Sequence, residues 1–553
     1  MRLGIDFGTT RIVVAAVDCG NYPVVSFESG DGATRDWFPP LVAVRGEKRR
    51  YGWEAWSAQA DAEATVVRSL KRFLAAAGPD TRVEIGHEAL PMQRLLAELT
   101  AALREALVSS STLNVPPSEP LEVMLGVPAN ANSNQRFLTV EAFRASGFEV
   151  LGLLNEPSAA SIEFSHRSRA ATQTKQAGYV LVYDLGGGTF DASLVEMDER
   201  THSLIGTEGI GTLGGDDFDE LLAELALDAA DIPAAERDSL TQAEHFRLHE
   251  ECRAKKESLS PNARRIVVDL EAVRPEWGEA SVPVSDYFER CRPLIDETLH
   301  AVVDLLQAHG FEADGSPAEG SGHRRSLEAL YVTGGGSEMP LVARGLRERF
   351  ARRVRRSAQA RAATAIGLAI QADLQAGYVV RERFTRYFGV WREADGGSRI
   401  AFDPLFEKGT PLPGPDEEPL LRERHYTPVH NVGHFRYLEC TQIAEDGQPN
   451  GDITIWDEIR FPFDPALGGV EDLAGVPVLH SEGARGQLVQ ERYGCERSGA
   501  VTVAISSLPS GLGRRYTLGR WAAKDVIKPG RARRRAAPKK ARREPQPLED
   551  TPS

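Results

Sequence analysis

The sequence predicts an α/β fold built as a duplicated, two-lobed unit, followed by a β-sandwich and a disordered basic tail. Three observations predict it. An apolar strand ending in Asp, then Gly, then Thr, then a second strand occurs twice, at Gly4-Ile5-Asp6-Phe7-Gly8-Thr9-Thr10 and at Tyr183-Asp184-Leu185-Gly186-Gly187-Gly188-Thr189-Phe190-Asp191. Long helical periodicity stops near Gly377, and short β-type runs separated by Gly, Pro and Asp take over. Between Arg531 and Arg543 stand eight Lys or Arg residues mixed with Ala and Pro, followed by an acidic end.

Strand-like and helix-like segments alternate up to about residue 378. Leu3 to Phe7 and Ile12 to Val17 read as strands around a Gly-Thr-Thr turn. Leu95, Leu96, Leu99, Ala102 and Leu103 recur at helical spacing. Leu121 to Val127 is a strand, and Val180 to Tyr183 and Ala192 to Val195 flank the second glycine turn. Phe246 to Leu259 and Pro293 to His309 read as helices, and Leu330 to Val332 runs as a strand into Gly334-Gly335-Gly336. Beyond 385, Tyr387 to Trp391, Ile453 to Trp456 and Ala500 to Ile505 read as strands of a sandwich.

A chain of 553 residues is too long for one hydrophobic core. A net charge of -15 disfavours a general nucleic-acid binder, because an acidic body repels a phosphate backbone; only the basic tail could make such a contact. The start lacks a long apolar stretch, so no signal peptide is expected, and no charge-free apolar run approaches a membrane span. Five scattered cysteines, with no CxxC pair, suit reduced thiols in a cytoplasmic protein.

The paired hairpins suggest a phosphate clamp. Glycines let backbone N–H groups approach phosphate oxygens, threonine hydroxyls add donors, and aspartates at strand ends hold a hard cation through oxygen or its waters. Two such hairpins, from a duplicated lobe, would face each other across a cleft. No GxxxxGK[ST] opens a helix, so this is not a P-loop.

Six motifs carry a family resemblance: IDFGTT at Ile5, VPANANSNQR at Val127, LLNEPSAAS at Leu153, YDLGGGTFD at Tyr183, LGGDDFD at Leu213 and TGGGSEMP at Thr333. With them the chain resembles the Hsp70 family, within the actin, hexokinase and Hsp70 superfamily, clearly over residues 1–378 and more loosely over 385–522. The resemblance implies a ribonuclease-H-like, actin-like ATPase domain over 1–378, a linker at 379–384, a β-rich substrate-binding domain over 385–522 and a tail over 523–553. It implies ATP or ADP, Mg²⁺ and K⁺ as ligands. Asp6, Asp184 and Asp191 match the carboxylates around the cations. Thr9 and Thr10, with Gly8, Gly186, Gly187 and Gly188, match the turns at the phosphates. Lys71 matches the lysine that reaches the γ-phosphate, Glu156 the acid near metal and water, and Thr189 the threonine near the γ-phosphate. Gly214 and Gly215 match phosphate-side glycines. Lys256 and Ser260 match the adenosine helix, and Gly335, Gly336 and Ser337 the adenosine turn. Pro128 and Arg136 match residues that couple nucleotide state to the second domain.

The implied function is an ATP-hydrolysing chaperone that binds unfolded or extended polypeptide, with a J-domain co-chaperone and a nucleotide exchange factor as partners. The sequence also departs from the family. Arg11 follows the first turn, Glu338 stands where an arginine stacks on adenine, Arg253 replaces an acidic residue, and Asn130-Ala131-Asn132-Ser133 replaces an aromatic tract. The linker, Val379 to Phe384, is short and basic. Phe406 to Pro413 and Gly499 to Ala504 resemble strands of the β unit, but nothing after Trp521 is long enough for a helical lid. These departures favour a rival, a nucleotide-switched protein that recognises one partner and hydrolyses ATP slowly or not at all. An actin-like filament and a small-molecule kinase fit less well.

Overall fold

The computed structural model describes residues 1–518 and 526–527, except 31, 62, 75, 79–80, 86–87, 173–176, 322–326, 395–398, 415–416, 471 and 497–498. Two sheets repeat one plan. In the first, Arg2–Phe7 pairs in parallel with Glu122–Val127, which pairs in parallel with Glu149–Asn155, while Ile12–Ala16 runs antiparallel on the other side. In the second, Ala177–Leu185 pairs in parallel with Leu327–Thr333, then Val354–Arg356, while Phe190–Asp198 and Thr201–Ile210 follow antiparallel. Each antiparallel hairpin is one of the two Asp-Gly-Thr segments, so the recurrence in the sequence is a recurrence of fold.

Two helices lie between the sheets. Ala363–Ala372 packs on the first sheet and on Glu156–Thr172, which also touches the second sheet. Close approach needs missing side chains: a Cβ at Gly367 would fall 1.8 Å from the Ala159 carbonyl oxygen, and one at Gly4 2.2 Å from the Ala369 nitrogen. Apolar strand positions bury separate cores in the two lobes, around Leu3, Ile5, Val123 and Leu99 in one and Leu181, Leu194, Leu222 and Leu330 in the other.

The reading of elements differs from the structure at two helices. One runs Gln242–Glu257, opened by a Thr241–Glu244 capping box, and leaves Ser260 in the turn beyond it. The other runs Val284–Ala308, with Pro293 inside it rather than at its start. A proline favours the first helical turn, but here a buried stripe through Tyr287, Cys291, Ile295, Thr298 and Val302 carries the helix past it.

The C-terminal half is a sandwich of two four-stranded antiparallel sheets, ordered 399–406, 387–394, 432–443, 449–462 and 420–426, 488–495, 501–508, 512–517. Phe388, Val390, Tyr437 and Phe461 face Val489, Tyr493, Val503 and Ile505 in its core. A charged pair is buried in that core: Glu491 receives Arg392 at 3.0 and 2.7 Å and the Tyr426 and Tyr493 hydroxyls at 2.5 Å each. Such a buried acid is tolerable only with its partners in place. Of the basic tail only Val526–Ile527 is described, as a strand beside Arg82 and Val83. The rest, the disorder read for it and the expected lack of a lid lie outside the described residues. Among the described residues no helix is long and apolar enough to cross a membrane, and all five cysteines are free thiols.

Candidate active site

The two hairpin turns meet face to face. A Cβ on Gly187 would lie 2.5 Å from the Thr10 methyl, and one on Gly188 2.9 Å from the Thr9 methyl. Only glycine lets the turns come this close. The second turn is tied to the helix after it, since Gly215 and Asp216 donate N–H groups to the Gly186 and Gly187 carbonyls at 2.9 and 2.7 Å. Gly334 closes the third side. Its φ of +81° is left-handed, and a Cβ would meet the Leu185 oxygen at 2.3 Å.

Between the turns is a narrow cleft of about 100 Å³. Asp6, Gly8, Thr9, Thr10, Lys71, Glu156, Asp184, Gly186, Gly187, Thr189, Gly215, Lys256, Gly335 and Gly336 line it, as do Arg11, Arg253, Glu257 and Arg361. Gly188 and Gly214 stand just behind, where a Cβ on Gly214 would lie 2.6 Å from the Gly188 backbone. Asp191 is buried beside Gly209. Ser337 is buried, and its hydroxyl donates to the Gly334 carbonyl at 2.6 Å. Ser260 is exposed in the turn and is not part of the lining.

Lys71 Nζ lies 2.5 Å from Glu156 Oε1, and the two residues are only 7% and 8% exposed. Lys71 rides on the short helix Leu70–Phe73, entered through Ser69 at φ +58°. That backbone conformation is unfavourable for serine. Across the cleft, Asp216 Oδ2 accepts the Ser69 hydroxyl at 2.7 Å and so holds it. Arg72 reaches the Thr212 carbonyl and Asp217 from the same helix. Burial pushes the Asp184 and Asp191 carboxyls up to about 7, with Glu156 reinforcing it, and raises Asp6 in the same way. Burial opposes the charge on Lys71, but Glu156 and Asp6 outweigh it and raise the lysine. Around Lys71 the site thus buries more carboxyl groups than that lysine can pair with.

That surplus, with turns too close for any Cβ, fits a polyphosphate accompanied by a hard cation. Among the described residues no three His, Cys, Asp or Glu side chains converge closely enough to bind a metal directly.

A second feature joins the lobes to the sandwich. Val379–Arg381 adds a parallel strand to the second sheet, His202 facing Val380. Glu382 then accepts from the Asn155 N–H at 3.3 Å and from its side-chain amide at 2.6 Å, and Arg136 donates to Asn155 Oδ1 at 2.7 Å. Arg136 is thereby brought to the linker, while the Pro128 carbonyl accepts the Ala131 N–H in the loop before the helix Ser133–Ala145. That helix receives the sandwich directly. Glu439 accepts from the Ser133 N–H and hydroxyl, both at 2.9 Å, and Thr454 meets Asn132 at 3.3 Å. The unusual Asn130-Ala131-Asn132-Ser133 tract is thus a docking point. Sequence reading missed Glu439, Glu382, Glu257 and Arg361, which belong to none of the six motifs, and Asp216, which stands within LGGDDFD but was given no role.

The comparisons agree with this geometry. The family model described as Hsp70 protein matches residues 2–384. Proteins named chaperone protein HscA are 32% identical over 394 residues in Shigella boydii serotype 18 and in Escherichia coli O6:H1. An HscA homolog of Tolumonas auensis is 30% identical over 392 residues. Each alignment covers 68% of this chain and 58% of the relative. With a family model over more than half its length and paired Asp-Gly-Thr hairpins meeting at one cleft, the chain belongs to the Hsp70 family.

Proposed function

We propose that this chain is an ATP-dependent chaperone, which binds MgATP between its two hairpin turns, hydrolyses it to ADP and phosphate, and couples this to holding extended polypeptide. The observation that supports it best is the Lys71–Glu156 pair buried between turns that touch. Residues 1–378 form the ATPase unit, 379–384 the linker and 385–522 the polypeptide-binding unit in this reading. The chain works in the cytoplasm with a J-domain co-chaperone and an exchange factor.

Thr9, Thr10 and the N–H groups of the glycine turns hold the β- and γ-phosphates. Asp6, Asp184 and Asp191 would hold Mg²⁺ and K⁺, and Mg²⁺ would supply positive charge to the phosphate oxygens. Lys71 exchanges Glu156 for a γ-phosphate oxygen and offsets the charge that develops there. Glu156, released from Lys71, joins Thr189 in orienting the attacking water. The buried site excludes other water, so these few polar groups act at low dielectric.

The sandwich carries a cleft of about 600 Å³, lined by Trp391, Ile400, Val429 and Phe435 among polar neighbours. It is the seat of the polypeptide in this reading. The Ser133–Glu439 and Asn155–Glu382 contacts carry nucleotide state to it.

Steady-state ATP turnover, with and without an extended unfolded peptide, tests the proposal beside a Lys71→Ala control. Turnover that rises with peptide and vanishes in the control is expected. Equal stimulation after deletion of residues 385–553 would sink the coupling. Turnover that ignores peptide would favour the partner-specific switch.

A further inference from the structure

The end of the cleft away from Lys71 is built of paired charges from four separate segments. Arg361 precedes the helix Ala363–Ala372. Its Nε and Nη2 lie 2.8 and 2.5 Å from Glu338 on the glycine turn, and its Nη1 lies 3.2 Å from Glu257 at the end of the helix Gln242–Glu257. Arg11, from the first hairpin, meets the same Glu257 at 2.5 Å and lies 5.1 Å over the Trp37 ring. Arg253 approaches Glu257 at 3.5 Å. Arg361 thus spans from the turn to the helix, lying over Gly335, where a Cβ would meet its Cγ and Nε at 3.9 and 4.0 Å.

A guanidinium is planar, and its nitrogens donate in that plane. All three nitrogens of Arg361 are directed at the two glutamates. What it can offer a ligand is a face. Glutamates at 257 and 338 have no face of this kind and would repel a phosphate, so their work here is to hold the arginine.

We propose that Arg361 is the base platform of this cleft: the base of a bound nucleotide stacks on its guanidinium face while Glu257 and Glu338 hold the guanidinium edge. The inference rests on the nucleotide reading of the cleft and names what that reading leaves open. Because its N–H groups lie in the guanidinium plane, parallel to a base stacked on it, they do not read the hydrogen-bonding edge of that base. Stacking alone accepts either purine. The site therefore distinguishes adenine from guanine weakly.

Calorimetric titration of the full chain with MgADP, MgGDP and, as a base-free probe, magnesium pyrophosphate tests this without turnover. The wild type is expected to bind the two nucleotides within about fivefold of each other. Arg361→Ala is expected to weaken both by about tenfold and to leave pyrophosphate unchanged. Arg361→Lys does not restore the loss, since an ammonium has no planar face. Glu338→Gln, which keeps the side-chain size, weakens both nucleotides a few-fold and serves if Arg361→Ala does not fold. Unchanged nucleotide affinity in folded Arg361→Ala, or a large wild-type preference for ADP over GDP, overturns the platform alone. A wild type that binds none of the three probes overturns the nucleotide reading beneath it.

Discussion

The two ends of the cleft are built on different terms. At the phosphate end, contacts come from backbone and small side chains, and the turns are so close that Gly187 and Thr10 leave no room for a Cβ. At the other end, Arg11, Glu257, Arg361 and Glu338 meet through long side chains from distant segments. A backbone cradle tolerates almost no substitution, because every residue is fixed by the approach of its neighbour. A ring of paired charges can be exchanged in concert, provided each charge keeps a partner. The backbone-built end therefore keeps a readable motif, whereas the side-chain-built end is free to depart from it.

The largest expected effect lies at the phosphate end. Lys71→Ala removes the one cation buried among Glu156, Asp6 and Asp191, so turnover should fall by about a hundredfold or more. Arg361→Ala should instead change nucleotide affinity with little change in single-turnover rate at saturation. Single-turnover assays on both variants read the difference directly. A similar loss of rate in both would erase the distinction between the ends.

A steric test of the cradle comes next. Gly187→Ala places a Cβ 2.5 Å from the Thr10 methyl, an overpacking worth about 2 kcal/mol. The pair Gly187→Ala with Thr10→Ala removes both the methyl at 2.5 Å and the hydroxyl at 2.9 Å and should bind nucleotide better than Gly187→Ala alone. Failure of the double variant to recover would mean that Gly187 is needed for its backbone conformation rather than for the turn-to-turn contact.

A third effect lies outside both ends. Burial holds the His202 imidazole near 4, beneath the strand that carries the linker. Its Nδ1 meets the Ser161 hydroxyl at 2.8 Å, and its Nε2 has no hydrogen-bond partner among the described residues. An unfolded chain takes up this proton near 6.5, so below that pH the unfolded state binds more protons than the folded one. The His202 contribution to stability is present above about 6.5 and is lost as pH drops toward about 4. His249, held near 3 by burial and Arg68, adds a component of the same sign. Between pH 7 and 5.5 each contributes a loss of about 1 kcal/mol. Urea unfolding at the two values measures it by difference: His202→Gln should lose about 1 kcal/mol less than the wild type between them.

The same contrast explains what could be read beforehand. The strand-turn-strand hairpins were legible because a backbone site leaves a local signature: Asp6 to Thr10 and Asp184 to Asp191 each sit within one turn. The duplicated sheets followed from them, and the sandwich from the change of periodicity near Gly377. Arg361 was not legible, because it lies in an alanine-rich stretch and acquires its role only by reaching Glu338 and Glu257. Glu439 and Glu382 were missed for the same reason, each meeting a partner far away in sequence. Ser260 was assigned to a helix that ends at Glu257. The reading of a helix over Pro293 to His309 is too short at its start, because the turns before Pro293 are held by a buried stripe that packing reveals.

The smallest effect concerns the contact that joins the lobes to the sandwich, which shares the character of the base end. Glu439 is 6% exposed, and it accepts from the first N–H of the helix Ser133–Ala145 and from the Ser133 hydroxyl. A carboxylate there suits the positive end of a helix. Burial raises the Glu439 carboxyl, while Arg386 and Ser133 favour its charged form. In Glu439→Gln one oxygen remains for the N–H or the hydroxyl, so the contact should weaken by about 1 kcal/mol rather than vanish. Faster amide exchange at Ser133 to Gln135 is the direct readout, and peptide stimulation of turnover should drop a few-fold with it. Affinity for MgADP should stay within twofold, because neither end of the cleft touches this contact. If MgADP affinity fell as much as peptide stimulation did, the Ser133 helix would be part of the nucleotide cradle, and the division between a backbone-built end and side-chain-built contacts would have to be redrawn around it.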